Sequence, residues 1–280
     1  MSIKICAYNI LHGFHTGGLG EKVIKPFELQ PWRISAAQKA VVAENPDVLV
    51  LTEACFAVPF NENTGRQLFV DYQKMFGYDY GSILKHDWEW GTVVLSRLPI
   101  INERKVTECG RDSLLVEIAC GNKSFSVNAV HPKHDWTEEQ KENYLRAVSV
   151  SNGTPYIIAG DFNALSDEDP YDYDRMLKGF RKFMHEADVK VADIMKRTAV
   201  KAVRAQGLID TFIVAGKPWT HTLPTRAYDS LQTREESGSR LDYIFCSSDF
   251  AVRDAYVVQN ELTDRASDHY PVVAVLELNN

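Results

Sequence analysis

Short apolar segments that end in polar residues are the feature of this sequence that most constrains its fold. Runs of four to eight apolar, branched residues are typical of buried strands, and a polar residue at the end of such a strand lies at the edge of the sheet. The segments that we interpret as strands are Ile3–Ile10, Val48–Thr52, Thr92–Leu95, Phe125–Val130, Tyr156–Ala159, Leu241–Cys246, Ala251–Val258 and Val272–Leu278. We therefore expect polar groups to gather where several of these strands end.

Helical patterns lie between these segments. The tetrapeptide Thr137-Glu138-Glu139-Gln140 is a capping box and predicts a helix that ends before Gly153. The pair Gly121-Asn122 predicts a hairpin turn between two strands. The other predicted helices are Arg33–Glu44, Pro170–Met184 and Val191–Ala205. This mixture of hairpins and strand–helix units predicts an α+β fold with two packed mixed sheets and outer helices.

Length and composition predict a single domain that comprises residues 1–280, because no Pro/Gly/Ser-rich linker divides the chain. The net charge of −7 disfavours long-range attraction to a polyanion such as duplex DNA. Five scattered cysteines without a CxxC pair predict neither a disulfide framework nor a zinc cluster, and fit a reducing, cytoplasmic setting. Neither an export signal nor an apolar run of about 18 residues is present, so we expect no membrane span. We expect a monomer.

The segment Gly160-Asp161-Phe162-Asn163 follows four apolar residues, which places a carboxylate and an amide two positions apart at a strand end. Phosphoryl transfer uses such groups to activate water and to hold a phosphate oxygen. An Asp/Asn turn without catalytic function is the alternative interpretation.

The segment Ser267-Asp268-His269 puts a histidine beside a carboxylate just before the last strand. A carboxylate that accepts a hydrogen bond from one ring nitrogen fixes the tautomer and suits the other nitrogen for proton transfer. A solvent-exposed turn histidine is the alternative interpretation.

Three further polar residues stand at or inside apolar strands. Glu53 follows Val48–Thr52, where it could bind a hard cation through oxygen, or serve only as a cap. Asn9 ends the first strand and could join Glu53 or simply terminate the sheet. Asp242 is flanked by apolar residues, and a buried carboxylate requires a partner.

Taken in order, these motifs resemble the endonuclease/exonuclease/phosphatase superfamily, whose fold is that of deoxyribonuclease I. Two more segments are similar to the family, Gly91–Ile100 and the strand end Ala129-Val130-His131. The resemblance implies a four-layer α/β/β/α sandwich of two mixed sheets, with the motif residues at one edge. It also implies Mg²⁺ or Mn²⁺ as the cofactor.

The resemblance assigns a role to each motif residue. Glu53 would be the principal metal ligand, with Asn9 beside it. Asp161 would orient or activate water, and Asn163 would hold the phosphate. The resemblance further implies the following roles: His269 contacts the scissile phosphate or transfers a proton, Asp268 orients His269, Asp242 supports that histidine or a metal, and His131 binds phosphate as in the nuclease and sphingomyelinase-like branches.

Departures from the family patterns narrow the function. Abasic-site endonucleases carry an aspartate two residues after the first asparagine, where this chain has Leu11, and a tyrosine near the position of His131. That specialised repair activity is therefore disfavoured. The sequence also lacks the His-x-His-x-Asp-His motif of metallo-lactamase-like enzymes and the Gly-Asn-His-Asp/Glu run of calcineurin-like phosphoesterases. His12 and His15 are interpreted as surface or substrate-contact residues.

We predict a metal-dependent hydrolase of phosphate esters, with nucleic acid slightly favoured as substrate over lipid or small-molecule phosphates. A binding module that has lost catalysis is disfavoured, because the whole set of polar motif residues is present. Trp88 and Trp90 could stack on a base or a lipid edge, or only pack against the sandwich. A stretch rich in basic residues could be a stripe that tracks phosphates, but we interpret it as a solvated helix face, which is more usual. Its basic residues are Lys178, Arg181, Lys182, Lys190, Arg197, Lys201 and Arg204.

Overall fold

Near-continuous apolar runs form the central strands, because these strands are covered on both faces. In the computed structural model, residues 1–15, 29–56, 60–61, 66–67, 71–86, 90–150, 153–228 and 236–279 are described. Its strands are β1 (Ser2–Asn9), β2 (Val48–Cys55), β3 (Phe60–Asn61), β4 (Arg66–Gln67), β5 (Tyr80–Lys85), β6 (Trp90–Ser96), β7 (Ile100–Glu108), β8 (Arg111–Cys120), β9 (Lys123–Val130), β10 (Tyr156–Asp161), β11 (Ile209–Asp210), β12 (Asp242–Cys246), β13 (Phe250–Val257) and β14 (Val272–Leu278).

Helices cover the outer faces of the sheets. They are α1 (Pro31–Glu44), α2 (Tyr72–Phe76), α3 (Glu138–Val148), α4 (Tyr173–Phe180), α5 (Ala187–Ile194), α6 (Thr198–Ala205), α7 (Thr211–Ala215) and α8 (Thr263–Ala266). The predicted capping box is present, since the Thr137 side chain accepts from the Gln140 N–H and the Gln140 side chain reaches back to the Thr137 N–H. Among the described residues, no helix is long and apolar enough to cross a membrane.

Two six-stranded mixed sheets pack face to face. The first has the order β13-β14-β1-β2-β6-β5 and the second the order β11-β12-β10-β9-β8-β7. Strands β1 and β2 are parallel, as are β9 and β10, while the other pairs within the two sheets are antiparallel. One apolar core lies between the sheets, a second lies under α1 and α2, and a third lies under α3 and α6. The predicted α/β/β/α sandwich is therefore confirmed.

Several predicted boundaries differ from the structure. The predicted helix Val191–Ala205 is part of two helices, because Arg197 adopts a left-handed backbone conformation with φ of 53° and interrupts the helix between α5 and α6. The predicted helix Pro170–Met184 is confined to α4, whose first turn is capped by Asp172. Strand β2 continues past Glu53 to Cys55, with a register shift between Leu51 and Ala54.

Candidate active site

Six polar residues from six different chain segments meet at one edge of the sandwich. The first sheet supplies Asn9 at the end of β1, Glu53 in β2 and His269 just before β14. The second supplies His131 after β9, Asp161 at the end of β10 and Asp242 at the start of β12. The antiparallel register of β10 and β12 sets Asp161 directly opposite Asp242.

The Asn9 amide joins the carboxylates from the two sheets. Its Nδ2 donates to Glu53 Oε1 and to Asp161 Oδ2, both at 3.0 Å. Its Oδ1 accepts from the Leu11 N–H, also at 3.0 Å. This arrangement presents the amide nitrogen to both carboxylates, so Asn9 joins Glu53 to Asp161, while its role as a metal ligand stays a prediction.

Glu53 lies at the irregularity of β2 instead of at a strand end. Its φ of 55° is in the left-handed region, which is uncommon for a residue other than glycine. Its Oε2 accepts from the His12 N–H at 3.1 Å, and the His12 ring lies 4.8 Å from the Trp90 ring between centroids. An uncommon backbone conformation at a polar residue in a cleft is a feature of functional sites. Because its N–H binds Glu53 and its ring contacts Trp90, His12 belongs to the site. Trp88 lies outside the described residues.

Asp161 is held from several directions. Its Oδ1 accepts from the Asn163 N–H at 2.7 Å, and its Oδ2 lies 3.6 Å from Nε2 of His131 and 4.0 Å from Nε2 of His269. Gly160 permits this geometry: its φ is 141°, and a Cβ atom there would collide with the Val130 carbonyl. A strand end this close to its neighbour therefore requires glycine.

The orientation of His269 differs from the predicted one. Its Nδ1 lies 2.7 Å from Oδ2 of Asp242, and the pair is buried. The Asp268 carboxylate instead accepts from Ser267 Oγ at 3.3 Å. Sequence proximity suggested Asp268 as the partner, but the register of the two sheets brings Asp242 to the ring. The alternative in which Asp242 supports this histidine agrees with the structure.

Asn163 occupies the turn after β10 with φ of 48°. Its Nδ2 donates to the Pro132 carbonyl at 3.0 Å, and its own carbonyl accepts from Nζ of Lys141 at 2.6 Å. The predicted contact of Asn163 with phosphate stays a prediction. Lys141 was missed by sequence analysis, because a lysine inside an ordinary amphipathic helix pattern gives no sign that it is buried.

Two buried arginines support the site loops, and the sequence analysis assigned a role to neither of them. Arg33 is buried and donates to the backbone carbonyls of Ile10, Leu11, His15 and Ala266, so it ties α1 to the loops on either side of the site. Arg240 is buried between Asp169 and Asp210. These pairings join residues up to 233 positions apart, which leaves no local signal.

Burial and charge divide the site into groups of different protonation. Burial raises the pKa of Asp161 to about 7. Burial opposes charge on His269 too, but the Asp242 and Asp161 carboxylates outweigh it and raise the His269 pKa well above its usual value. Burial lowers the pKa of His131 to about 4, which leaves this imidazole neutral. Burial also acts against charge on Glu53, but His131, His12 and Asn9 outweigh it and lower the Glu53 pKa to about 2.

The model of the Endonuclease/Exonuclease/phosphatase family matches residues 6–269. The chain belongs to this family. A search of curated proteins gave no match. Members of the family are generally divalent-metal-dependent hydrolases acting on phosphoester bonds.

Solved structures share the family fold at low sequence identity. An endonuclease/exonuclease/phosphatase from Beutenbergia cavernae DSM 12333 is 21% identical, with a TM-score of 0.62 over 100% of this chain and 72% of that chain. A family protein from Bacteroides thetaiotaomicron is 14% identical, with a TM-score of 0.68 over 100% of this chain and 99% of that one. A humanized D. rerio TDP2 carrying 14 mutations is also 14% identical, with a TM-score of 0.62 and 99% of both chains covered. At these identities the likeness is one of fold.

The donor set fits the metal that the family implies. Ligand atoms of Glu53, His131 and Asp161 lie within 4.8 Å of one another. The group combines an ionised carboxylate, a neutral imidazole and a second carboxylate. Such a set suits a divalent cation of the first transition row as well as magnesium. His131 could therefore serve as a ligand, a role that the sequence did not assign to it.

The basic stretch is paired with acids for the most part. Four of its seven side chains form ion pairs with carboxylates, namely Lys178 and Lys182 with Glu236, Arg181 with Asp188, and Arg204 with Asp167 and Glu168. Nζ of Lys190 donates to the His134 carbonyl at 3.1 Å. Cations that are already paired with carboxylates neutralise few phosphates and so release few counterions from a phosphate backbone. The arrangement therefore favours a solvated helix face over a phosphate-tracking stripe.

Proposed function

We propose that the protein is a divalent-metal-dependent phosphodiesterase. The observation that carries the proposal is the group formed by Glu53, His131 and Asp161 beside the His269–Asp242 pair. A metal bound by the first group would neutralise phosphate charge and polarise a phosphoryl oxygen. The second group holds a positively charged imidazole with its Nε2 4.0 Å from Oδ2 of Asp161.

The reaction is hydrolysis by in-line attack of water on phosphorus. Asp161 accepts a proton from the attacking water. The new bond joins the water oxygen to phosphorus, the ester P–O bond breaks, and the departing oxygen takes up a proton from solvent. His269 faces the phosphoryl oxygens, with Asp242 holding Nδ1–H so that Nε2–H is directed towards Asp161 and the cleft. Asn163 and Asp268 line a cavity that adjoins these residues.

A nuclease acting on DNA or RNA is the second candidate. The aromatic pair of His12 and Trp90 beside Glu53 favours it, because a base could stack there. The net charge of −7 and the ion-paired basic stretch count against it.

A substrate panel tests the proposal. Plasmid DNA, RNA, inositol phosphates, sphingomyelin and bis(p-nitrophenyl) phosphate would each be incubated with Mg²⁺, Mn²⁺ or chelator. We expect metal-dependent hydrolysis that chelator abolishes. Hydrolysis that persists undiminished in chelator, or none on any phosphodiester, would contradict the proposal.

Two variants test the catalytic assignment on the best substrate of the panel. We expect Asp161→Asn and His269→Ala each to lower kcat by about two orders of magnitude or more, the scale of a general acid–base group. Urea unfolding of each variant would establish that it is folded. An unchanged kcat in either variant would remove that residue from its role.

A further inference from the structure

A cavity of about 770 Å³ opens directly beside the catalytic residues. Asn163, whose N–H binds Asp161, and Asp268, the neighbour of His269 in the chain, form part of its wall, so the cavity adjoins the active site. Its outer wall is formed by α4, α5 and the chain between them, and by loop residues on both sides of the cleft. The volume falls within the range of about 300–1,000 Å³ that is typical of small-molecule sites.

The wall of this cavity is mainly apolar. The rings of Phe180 and Phe183 lie 5.2 Å apart between centroids, and Phe183 is 57% exposed although its side chain is large and apolar. An exposed aromatic in a concave wall is typical of a ligand contact. The main apolar lining residues are Leu165, Phe180, Phe183, Ile194, Leu223 and Leu241.

Two lysines against one aspartate, Asp268, give this apolar wall a net positive charge. Nζ of Lys141 donates to the Asn163 carbonyl at 2.6 Å, which sets its ammonium at the catalytic end of the cavity. Lys190 also lines the cavity and donates to the His134 carbonyl at 3.1 Å. A ligand that suits the wall combines an apolar organic group with a negative charge, as an organic phosphate ester does.

We propose that this cavity binds the organic substituent of the substrate, and that the substrate is a small phosphate ester with a compact apolar group, not a nucleic acid. The inference rests on the proposed phosphoesterase function and adds the substrate class. A polynucleotide would require a track of unpaired cations, whereas four basic side chains of this region are paired with acids. An apolar cavity beside the reacting group selects instead for a single compact substituent.

Binding of two phosphonates to the intact, Mg²⁺-loaded protein tests the cavity without any reaction. Benzylphosphonate and methylphosphonate carry the same charged group and differ only in the apolar part. We expect benzylphosphonate to bind at least about ten-fold more tightly in isothermal titration calorimetry, because its ring removes apolar surface from water. Equal affinities would overturn the proposal.

Two variants alter the cavity wall and one serves as a matched control. Phe183→Ala removes part of the wall, and Ala227→Trp fills the cavity from an exposed lining position. We expect both to remove the benzyl advantage and to leave methylphosphonate affinity unchanged. Tyr173→Ala removes a comparably exposed aromatic of α4 that does not line the cavity, and should keep the advantage. A full benzyl advantage in both wall variants would overturn the proposal.

Kinetics separate this inference from the proposed function. With bis(p-nitrophenyl) phosphate, we expect both wall variants to raise KM about ten-fold while kcat stays within about two-fold. Hydrolysis with an unmoved KM in both variants would overturn the cavity assignment and leave the phosphodiesterase standing. A benzyl advantage that the variants abolish, in a protein that hydrolyses no phosphodiester, would support the cavity and refute the proposed function.

Discussion

At the residue scale, the site depends on one histidine held between two carboxylates. His269 faces Asp242 through Nδ1 and Asp161 through Nε2, and all three side chains are buried. A buried imidazolium is tolerated only where partners offset its loss of solvation. The same contacts that stabilise the charge therefore also fix the direction of the ring.

Asp242→Asn tests which carboxylate orients His269. An amide keeps the shape of the side chain but removes the negative charge that stabilises the His269 imidazolium and holds its ring in place. We expect kcat to fall by about two orders of magnitude or more with a smaller change in KM. Asp268→Asn is the matched comparison, because the Asp268 carboxylate bonds to Ser267 and not to the ring. A larger loss of kcat in Asp268→Asn would restore the orientation predicted from the sequence.

At the element scale, a buried carboxylate connects two helices that pack against the second sheet. Oε1 of Glu138, in the first turn of α3, accepts from the Ala199 N–H at 2.9 Å in the first turn of α6. Burial raises the pKa of Glu138 to about 7, with Asp193 adding to the effect and Lys141 opposing it. Glu138 thus favours folding most when protonated.

Glu138→Gln should change how stability depends on pH. A raised folded-state pKa contributes stability that is complete below the unfolded value of 4.5 and is lost as pH rises through about 7. Glutamine keeps the acceptor for Ala199 and does not titrate. We expect the difference in free energy of unfolding, variant minus wild type, to rise by about 3 kcal/mol between about pH 4.5 and about pH 8. Urea unfolding across this range, with the exposed Glu139→Gln as control, measures it; parallel profiles for Glu138→Gln and wild type would contradict the assignment.

Elements differ in how well the sequence predicts them. Strand β14 was predicted with its observed bounds, and the Gly121-Asn122 turn joins β8 to β9 as expected, because apolar pattern and turn chemistry are local. The exposed strand β7 was missed, since its sequence is largely polar. The break at Arg197 was also missed, because a left-handed arginine has no compositional signal. Local rules thus predict buried strands and turns, and fail where packing sets the backbone.

At the scale of the whole molecule, the site exists only where the two sheets meet. Asn9, Glu53 and His269 come from the first sheet, whereas His131, Asp161 and Asp242 come from the second. The chain order of these residues identified them, because the family resemblance covers them all. Their pairing was predicted only in part: the resemblance gave Asp242 either this histidine or a metal as its partner, and the contact of Asp242 with His269 depends on the register between the sheets.

A metal bound across this junction should stabilise the whole fold, because Glu53 and the pair of His131 and Asp161 belong to different sheets. At a metal concentration of about 100 times Kd, linkage gives about 2.7 kcal/mol, or a rise in Tm of roughly 5–10 °C. Scanning calorimetry with Mn²⁺ and with chelator measures this shift independently of hydrolysis. We expect Glu53→Gln to lose most of the shift and Glu139→Gln to retain it. A full shift in Glu53→Gln would mean that the stabilising ion binds elsewhere, since no carboxylate of the first sheet would then be needed to hold it.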